Sequence, residues 1–323
     1  MNLIMNYRRQ IESTNQLECV IESAIKSKAE KLELNFSPCK KYVIPEFIGN
    51  ISSLKELAII QDYLVALDIE EIPASIGKLS KLQFLKICDC RLKFLPSSIG
   101  NLKNLKELII VDLRELEEIP DSISKLKNLE KLVLRGCASS LGNLEKLPDT
   151  IGQLTSLKHL EINATAIHSL PETLGNLSNL EYLEIRNNEN LHYLPHSIGK
   201  LDKLTVLKLE EGYLKTLPES IGQLQNIKEL NLFYNNIEYL PESICQLKNL
   251  KSLELRENEL KYLPESIGNL KNLEYLGLID NELTQLPESI SNLSGLKYDI
   301  DAYNNPFKEV PASVSTLPVK ILY

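Results

Sequence analysis

The sequence lacks the features that place a protein in or across a membrane. No apolar run approaches the roughly 18 residues of a membrane-spanning helix, although 43% of the 323 residues are hydrophobic. The first residues, Met1 to Arg9, contain no long apolar stretch of the kind that a Sec signal peptide carries. We therefore expect a protein that stays in the cytoplasm, or one that is exported by a route without such a signal.

Positive charge is also in short supply, with 36 Lys and Arg residues against 44 Asp and Glu residues and a net charge of −8. Both signs are interspersed, whereas a nucleic-acid-binding protein usually has a basic stripe. The sequence shows no Ser-His-Asp set, glycine-rich phosphate loop or zinc-ligand spacing. We expect no nucleic-acid partner, no membrane insertion, no cofactor, no bound metal and no catalytic residue.

Cysteine is sparse, and the six residues are scattered: Cys19, Cys39, Cys88, Cys90, Cys137 and Cys245. Neither end has the cysteine cluster that commonly closes extracellular repeat proteins. In Cys88-Asp89-Cys90, strand alternation directs Cys90 inward and Cys88 outward, so the two thiols diverge and do not suit one metal ion. We predict reduced thiols in a reducing compartment.

What the sequence does have is a repeat. Leu-Pro-Glu-Ser-Ile begins at Leu217, Leu240, Leu263 and Leu286, each 23 residues after the last. Looser copies of the Leu-Pro pair bring the total to twelve. They begin at Ile44, Ile72, Leu95, Ile119, Leu147, Leu170, Leu194 and Val310. A fixed period of this size predicts a solenoid, which offers an extended binding surface and no built-in catalytic cleft.

Each repeat contains a short segment of alternating apolar residues followed by a polar position. One copy reads Leu250-x-x-Leu253-x-Leu255-x-x-Asn258, and the alternation predicts a strand. No turn can bury its own leucines, so the turns must stack. The chain bends inward after the strand, and we predict that Asn235, Asn258 and Asn281 are buried and bonded to the backbone groups freed there. Cys90, Cys137, Thr165 and Gly212 occupy the same position in other turns.

Proline follows the last core leucine of each turn and favours the start of a helix. Acidic residues beside it, such as Glu219, Glu242 and Glu265, suit a helix N-terminus. We predict short helical turns on the outer side of the solenoid. Gly77, Gly100, Gly222 and Gly268 stand four residues after proline, and we expect them to be left-handed caps. Serine or cysteine replaces this glycine in other turns, so the cap is a preference.

This pattern resembles the leucine-rich repeat family over roughly residues 30–310. The Leu-Pro-x-x-Ile-Gly-x-Leu form is similar to repeats of Ras-associated scaffolds, Scribble-type polarity proteins, plant intracellular Ras-group proteins and many bacterial proteins. The resemblance implies an α/β solenoid, or horseshoe, with a parallel β-sheet on its concave side and short helical turns or loops on its convex side. It also implies a protein partner on the concave sheet, without naming that partner.

The ends of the chain depart from the repeat. We predict a capping helix within residues 1–28, about twelve repeats in residues 29–309 and a C-terminal cap in residues 310–323. Near the end of the chain, the polar position of the repeat could be Asn304 or Asn305. Asn305 places Ile300 and Ala302 in the core, whereas Asn304 would bury two aspartates, which is costly. We therefore predict that Asn305 takes this position. Residues 136–142 look like a loop inserted after a strand, either as a tolerated insertion or as part of the binding face.

The intervening strand positions are expected to face the concave side, and they contain two groups of apolar or aromatic residues. Exposed aromatics beside arginine are typical of interface hot spots, although strands also favour such residues without any partner. The candidate protein-binding residues are Phe233, Tyr234, Arg256, Tyr275, Ile279, Tyr182, Arg186, Glu184, Glu210, Ile109 and Val111. Val133 extends the group of Ile109 and Val111.

Two functions from different classes compete. The first is a non-enzymatic protein-binding module or scaffold, with a bacterial effector or host-association factor as a variant that uses the same surface. The second is an enzyme with an unrecognised site, for which His159, Glu161 and Glu184 are the nearest candidates. That set has a single histidine, and an open sheet does not desolvate its groups as a catalytic site must. The sequence therefore favours the binding module.

Overall fold

The structure is a computed structural model that describes residues 10–37, 41–61, 69–88, 90–112, 114–137 and 142–323. These residues fall into two compact units, residues 1–166 and residues 167–323. Most of the predicted loop at residues 136–142 lies outside the described residues, as does Cys39. Of the other five cysteines, Cys88, Cys90 and Cys245 are buried, Cys137 is half-buried and Cys19 is exposed.

The described part of unit 1 begins with helix α1, Thr14–Ser27. Its strands are β1 Lys31–Phe36, β2 Glu56–Gln61, β3 Phe84–Cys88, β4 Glu107–Val111, β5 Lys131–Arg135 and β6 His159–Asn163. Its outer turns are 3₁₀ helices at Glu46–Asn50, Ala74–Lys78, Ser97–Asn101, Asp121–Lys125 and Asp149–Gln153. Each strand pairs in parallel with the next strand along the chain.

Unit 2 repeats the same pattern. Its strands are β7 Tyr182–Arg186, β8 Val206–Glu210, β9 Glu229–Asn231, β10 Ser252–Glu254, β11 Tyr275–Gly277, β12 Ile300–Asp301 and β13 Ile321–Leu322. Its 3₁₀ helices span Glu172–Asn176, His196–Lys200, Glu219–Gln223, Glu242–Gln246, Ile267–Asn269, Glu288–Asn292 and Ala312–Thr316. The strands pair in parallel and in chain order. This alternation confirms the predicted leucine-rich-repeat solenoid fold.

Helix α1 lies within the predicted N-terminal segment. The Ser13 side chain accepts a hydrogen bond from the Gln16 N–H at 3.2 Å, which satisfies one of the free donors at the start of the helix. Lys28 ends the helix in a left-handed conformation. The buried face of the helix consists of Leu17, Val20, Ile21 and Ala24. That this helix caps the repeats stays a prediction, as do the boundaries of the C-terminal cap.

The predicted asparagine ladder is present. Asn258 Nδ2 donates to the Leu232 carbonyl at 2.9 Å and to the Leu255 carbonyl at 3.1 Å, while its Oδ1 accepts from the Ile237 N–H at 3.2 Å. Asn235 and Asn281 make the equivalent bonds, and all three residues are buried. Each asparagine thus bonds its own turn and the turn before it.

The choice of register near the C-terminus is also confirmed. Ile300 and Ala302 are fully buried. Asn305 Nδ2 donates to the Leu278 carbonyl at 2.8 Å, and its Oδ1 accepts from the Leu283 N–H at 3.0 Å. The ladder therefore continues through Asn305, one residue later than the 23-residue period alone would place it.

The predicted role of the glycines is wrong. No described glycine has a positive φ, and Gly77, Gly100, Gly222 and Gly268 lie inside 3₁₀ helices. A Cβ on Gly77 would lie 2.5 Å from the Ser98 carbonyl oxygen of the next turn. These positions lack a side chain because adjacent turns approach closely there, and not because the backbone needs a left-handed residue.

The left-handed backbone occurs after the strands instead. Glu211, Tyr234, Glu257 and Asp280 have φ between 50° and 56°. The chain leaves the sheet through one such residue in each of these turns of unit 2. Since a positive φ is uncommon in residues other than glycine, the repeat accepts a local cost here to turn the chain toward the core.

The outer turns are joined by contacts that the sequence analysis did not predict. The Glu242 carboxylate accepts from the Glu265 N–H of the next turn at 2.9 Å, and the Glu172 carboxylate accepts from the Ser197 N–H at 2.9 Å. The acidic residue after proline therefore caps the following 3₁₀ helix rather than its own. In a second ladder, an asparagine in each of five turns donates to a backbone carbonyl of the previous turn at 2.7–2.8 Å: Asn104, Asn128, Asn226, Asn249 and Asn272.

The first prediction concerns the buried ladder. Asn258→Leu should lower the free energy of unfolding by about 1–3 kcal/mol, because the Ile237 N–H loses its partner in a dry core. The Leu232 and Leu255 carbonyls each lose one of their two asparagine donors. Asn269→Leu is the control, since Asn269 is exposed in the neighbouring 3₁₀ helix. Urea denaturation compares the two. Equal midpoints for Asn258→Leu and the unchanged protein would contradict the ladder's role.

The second prediction concerns the close approach at Gly222. A Cβ there would lie 2.7 Å from the Ser243 Cβ and still closer to the Ser243 carbonyl. Gly222→Ala should therefore cost about 1–3 kcal/mol through overpacking, although alanine suits a helix better than glycine does. Gln223→Ala, at the exposed next residue, is the control for thermal unfolding. A more stable Gly222→Ala protein would show that propensity outweighs the contact.

Candidate functional site

The strands place alternate residues on opposite faces of the sheet, as predicted. In β8, Leu207 and Leu209 are buried, whereas Val206, Lys208 and Glu210 are half-buried. The half-buried residues lie on the face away from the leucine core. The candidate binding residues on the strands of unit 2 belong to this face.

In the aromatic patch, which we define as Phe233, Tyr234, Arg256, Tyr275 and Ile279, side chains of three successive turns come together. The Arg256 guanidinium carbon lies 5.6 Å from the centre of the Phe233 ring, within the range of a cation–π contact. Arg256 also pairs with Glu254 at 2.8 Å. The Tyr275 hydroxyl donates to Glu254 Oε2 at 3.0 Å. Phe233, Arg256 and Tyr275 are thus connected through Glu254.

Glu254 is the buried centre of this patch, with 7% of the residue exposed. Its Oε1 accepts from the Arg256 backbone N–H at 3.0 Å. Gly277 makes room for the carboxylate, since a Cβ there would collide with Glu254 and lie 2.8 Å from the Tyr275 hydroxyl oxygen. Burial, followed by the charge of Glu254, raises the pKa of Tyr275 to about 12. Tyr275 therefore stays protonated at neutral pH and holds the carboxylate.

The remaining two residues of the aromatic patch lie beside this network. Tyr234 is 52% exposed, and its ring is tilted against that of Phe233 with 6.1 Å between the centres. Ile279 is half-buried on the turn after Arg256, and its carbonyl accepts from the Glu257 N–H at 2.9 Å. Tyr234 adds an exposed ring to the patch, and Ile279 adds apolar surface.

The candidate residues Tyr182, Glu184, Arg186 and Glu210 form a second, more polar network in unit 2. The Tyr182 hydroxyl donates to Glu184, and the Arg186 guanidinium donates to Glu211. Arg186 Nε is also 3.9 Å from Glu210 Oε2. Burial raises the pKa of Glu210, and the charges of Glu184 and Glu211 add to the effect against that of Arg186. This band carries more negative than positive charge.

In unit 1, the aliphatic group is smaller than predicted. Ile109 and Val111 are half-buried on β4, and Ile109 is in register with Val133 on β5. Val133 is in the same row as Ile109, as predicted, but it is only 4% exposed, so the expectation that water reaches it is wrong. Its register partners Ile109 and Glu161 flank it on both sides. Cys88, which was also expected on the exposed face, is 7% exposed and is in register with Val111.

Glu161 contacts a cluster of basic side chains on the same face of unit 1. Its carboxylate contacts His159 Nε2 at 2.5 Å and Arg135 at 2.7 Å, and Lys131 lies 3.9 Å away. The hydrogen bond from His159 is the main cause that lowers the pKa of Glu161, and Arg135 adds to it against the opposing effect of burial. A carboxylate held in its charged form does not act as a proton donor near neutral pH.

Sequence reasoning missed three features of the candidate site in unit 2. In the sequence, Glu254 is one of many polar residues at an outward-facing strand position. Its burial depends on the missing side chain of Gly277 on the next strand. Gly212 was recognised as the weakest ladder residue, but the space beside it was not. Glu257 and Tyr213 line that space and carried no local signal. A glycine that interrupts a regular position was the signal available for the first two.

The described residues contain no group of three or more His, Cys, Asp or Glu side chains arranged to hold a metal ion. Within the same residues, every helix is too short or too polar to cross a membrane.

Comparison with known families identifies the class of protein. A family model described as leucine-rich repeat region matches residues 32–149, 134–234 and 206–274. These matches cover most of the chain. The chain therefore belongs to the leucine-rich repeat family.

Several solved structures are similar to this chain. A leucine-rich repeat protein of Leptospira interrogans is 27% identical, with a TM-score of 0.51 over 96% of this chain and 92% of that one. The leucine-rich repeat domain of the type III effector XopL is also 27% identical, with a TM-score of 0.64 over 77% of this chain and 85% of that one. An internalin of Listeria monocytogenes is 20% identical, with a TM-score of 0.55 over 96% and 89%, and supports the fold alone.

The third prediction concerns pH. Because the pKa of Glu161 is lower in the folded protein than its ordinary value of 4.5, its contribution to stability is present above that value and is lost as the pH falls through the folded pKa. Urea denaturation from pH 7 to pH 3 should show a stability gap between the unchanged protein and Glu161→Gln that narrows in acid. Glu145→Gln, at an exposed position of unit 1, is the control. If the difference in stability between the unchanged protein and Glu161→Gln did not depend on pH, the lowered pKa of Glu161 would be contradicted.

Proposed function

We propose that this protein is a non-enzymatic protein-binding module whose partner docks on the concave sheet, centred on Phe233, Arg256 and Tyr275. The leucine-rich repeat fold supports this proposal, since its parallel sheet is an extended surface of the kind that repeat proteins use for binding. Glu161, Glu184 and Glu210 take part in local contacts with basic or tyrosine side chains, which suits a binding surface better than a catalytic one.

The observation that carries the proposal is the fixed geometry of the aromatic patch. Arg256 is held over Phe233 by Glu254, and Glu254 is held in turn by Tyr275 and by the Arg256 backbone. Side chains that are already ordered lose less conformational entropy when a partner binds. Aromatic residues and arginine also dominate binding energy at protein interfaces. The patch therefore has both the composition and the rigidity of a hot spot.

A second candidate is a secreted effector that uses the same surface on a host protein. The similarity to the leucine-rich repeat domain of a type III effector favours it. A translocation assay distinguishes the two candidates. The chain is fused to a reporter that is active only inside the recipient cell, in strains with and without an intact secretion system. Reporter activity that requires the secretion system supports the effector, and its absence removes this candidate.

The fourth prediction tests the aromatic patch. Partners are captured from a lysate with the unchanged protein, identified by mass spectrometry and titrated by calorimetry. Phe233→Ala with Tyr275→Ala should weaken the affinity by about 2 kcal/mol or more, as expected for hot-spot truncation. Phe233→Ala alone should show most of this loss and leaves the bonds to Glu254 in place.

The matched control is Tyr239→Ala with Tyr262→Ala. These two tyrosines of unit 2 are exposed, and their ring centres are 4.9 Å apart. Each directly precedes a Leu-Pro pair, so both lie outside the strands. Thermal unfolding is measured for every variant. If both double variants bind with the affinity of the unchanged protein, the aromatic patch is not the docking surface.

A further inference from the structure

An open pocket of about 400 Å³ lies beside the aromatic patch in unit 2. It forms where four successive turns leave the sheet, and the left-handed residues Asn187, Glu211, Tyr234 and Glu257 all line it. Its walls combine the rings of Tyr213, Phe233 and Tyr234 with the carboxylates of Glu189, Glu211 and Glu257.

Gly212 lines the pocket and stands where other turns carry the ladder asparagine. Gly212 does not need to be glycine for its backbone, since no described glycine has a positive φ. A Cβ on Gly212 would lie 3.0 Å from the Asn235 Oδ1 atom and 3.7 Å from the Asn188 carbonyl oxygen. Neither Asn235 nor Asn188 lines the open pocket, so its walls come from the other residues of the four turns.

The pocket has uncompensated negative charge. None of its lining residues is Lys, Arg or His. Glu211 is paired with Arg186 of the neighbouring network. Within the described part of the chain, the carboxylates of Glu189 and Glu257 have neither an ion pair nor a hydrogen bond. Two free carboxylates beside aromatic rings attract a cation.

The rings of the pocket are accessible. Tyr213 is 43% exposed and Tyr234 is 52% exposed. The surrounding surface already contains both contacts that a guanidinium makes, because Arg256 lies over Phe233 and Arg186 pairs with Glu211. A planar guanidinium can bond a carboxylate with two donors and lie flat on a ring at once, which a lysine ammonium cannot do.

We infer that this pocket binds an arginine side chain of the partner protein, with its guanidinium between the tyrosine rings and the carboxylates of Glu189 and Glu257. The inference rests on the proposed function, because it names the chemical group that the partner presents at the edge of the aromatic patch. A partner with an exposed arginine next to an apolar or aromatic segment fits the surface.

The test uses a small probe, Nα-acetyl-arginine N-methylamide, and protein with ¹³C-labelled tyrosine and phenylalanine rings. Titration should shift the ring signals of Tyr213, Phe233 and Tyr234 in a saturable way. The citrulline analogue has nearly the same shape with a neutral urea group, and it should bind at least about tenfold more weakly because it lacks the charge. Equal binding of the two probes, or no shift at these rings, would overturn the inference.

Paired variants locate the site. Glu189→Gln with Glu257→Gln should weaken binding of the arginine probe about tenfold. The control is Glu265→Gln with Glu282→Gln, which removes the same charge at exposed positions of unit 2 outside the pocket. The control should bind the probe as the unchanged protein does. An equal loss in both pairs would show that net charge alone attracts the probe, and the pocket would be rejected.

The outcome is independent of the partner experiment. If a captured partner needs Phe233 and Tyr275 but the arginine probe does not bind, the proposed function stands and this inference fails. If the probe binds in the pocket but no partner depends on the aromatic patch, the pocket stands as a guanidinium site and the docking proposal fails.

Discussion

The close stacking of successive turns is the constraint on which this structure depends. A single turn contributes core leucines that it cannot cover, and it bends inward so sharply that backbone groups face a dry interior. Both problems are solved only by the neighbouring turns. The leucines of one turn pack against those of the next. The buried backbone groups form hydrogen bonds with an asparagine of the following turn, as they do with Asn258. Burial and hydrogen bonding thus impose the same spacing, which explains the constant 23-residue period of the four close copies.

The sequence predicted the parts of the fold that recur within one turn. The alternating leucines, the ladder at Asn235, Asn258 and Asn281, and the shifted register at Asn305 could all be identified from spacing and burial cost. The glycines after proline could not, because their role depends on a carbonyl of the next turn. The same is true of Glu242, whose carboxylate was expected to serve its own helix and instead caps the next one. Local patterns report local conformation, and contacts between turns need the structure.

The candidate site shows a similar division. The alternation of residues along the repeats predicted that Phe233 and Arg256 lie on one face, and the structure brings them together. It did not identify Glu254 as the group that holds them, because a glutamate in a strand column looks like ordinary surface. Gly277 is a missing side chain whose effect, the room it leaves for the Glu254 carboxylate, is seen only in the structure. In this repeat, a glycine that breaks the strand pattern therefore marks a place where a neighbouring turn needs space.

The asparagine ladder also gives the solenoid a direction. In each of these turns, the side chain reaches back to the backbone of the turn before it, as Asn281 does to Leu255 and Leu260. Cutting away a turn from the C-terminal side leaves buried backbone groups of the preceding turn without partners. A cut from the N-terminal side also frees strand groups, such as the Ser252 N–H that bonds the Lys228 carbonyl, but from the ladder it frees an asparagine side chain, which can rotate toward water. The ladder therefore favours shortening the array from its beginning over shortening it from its end.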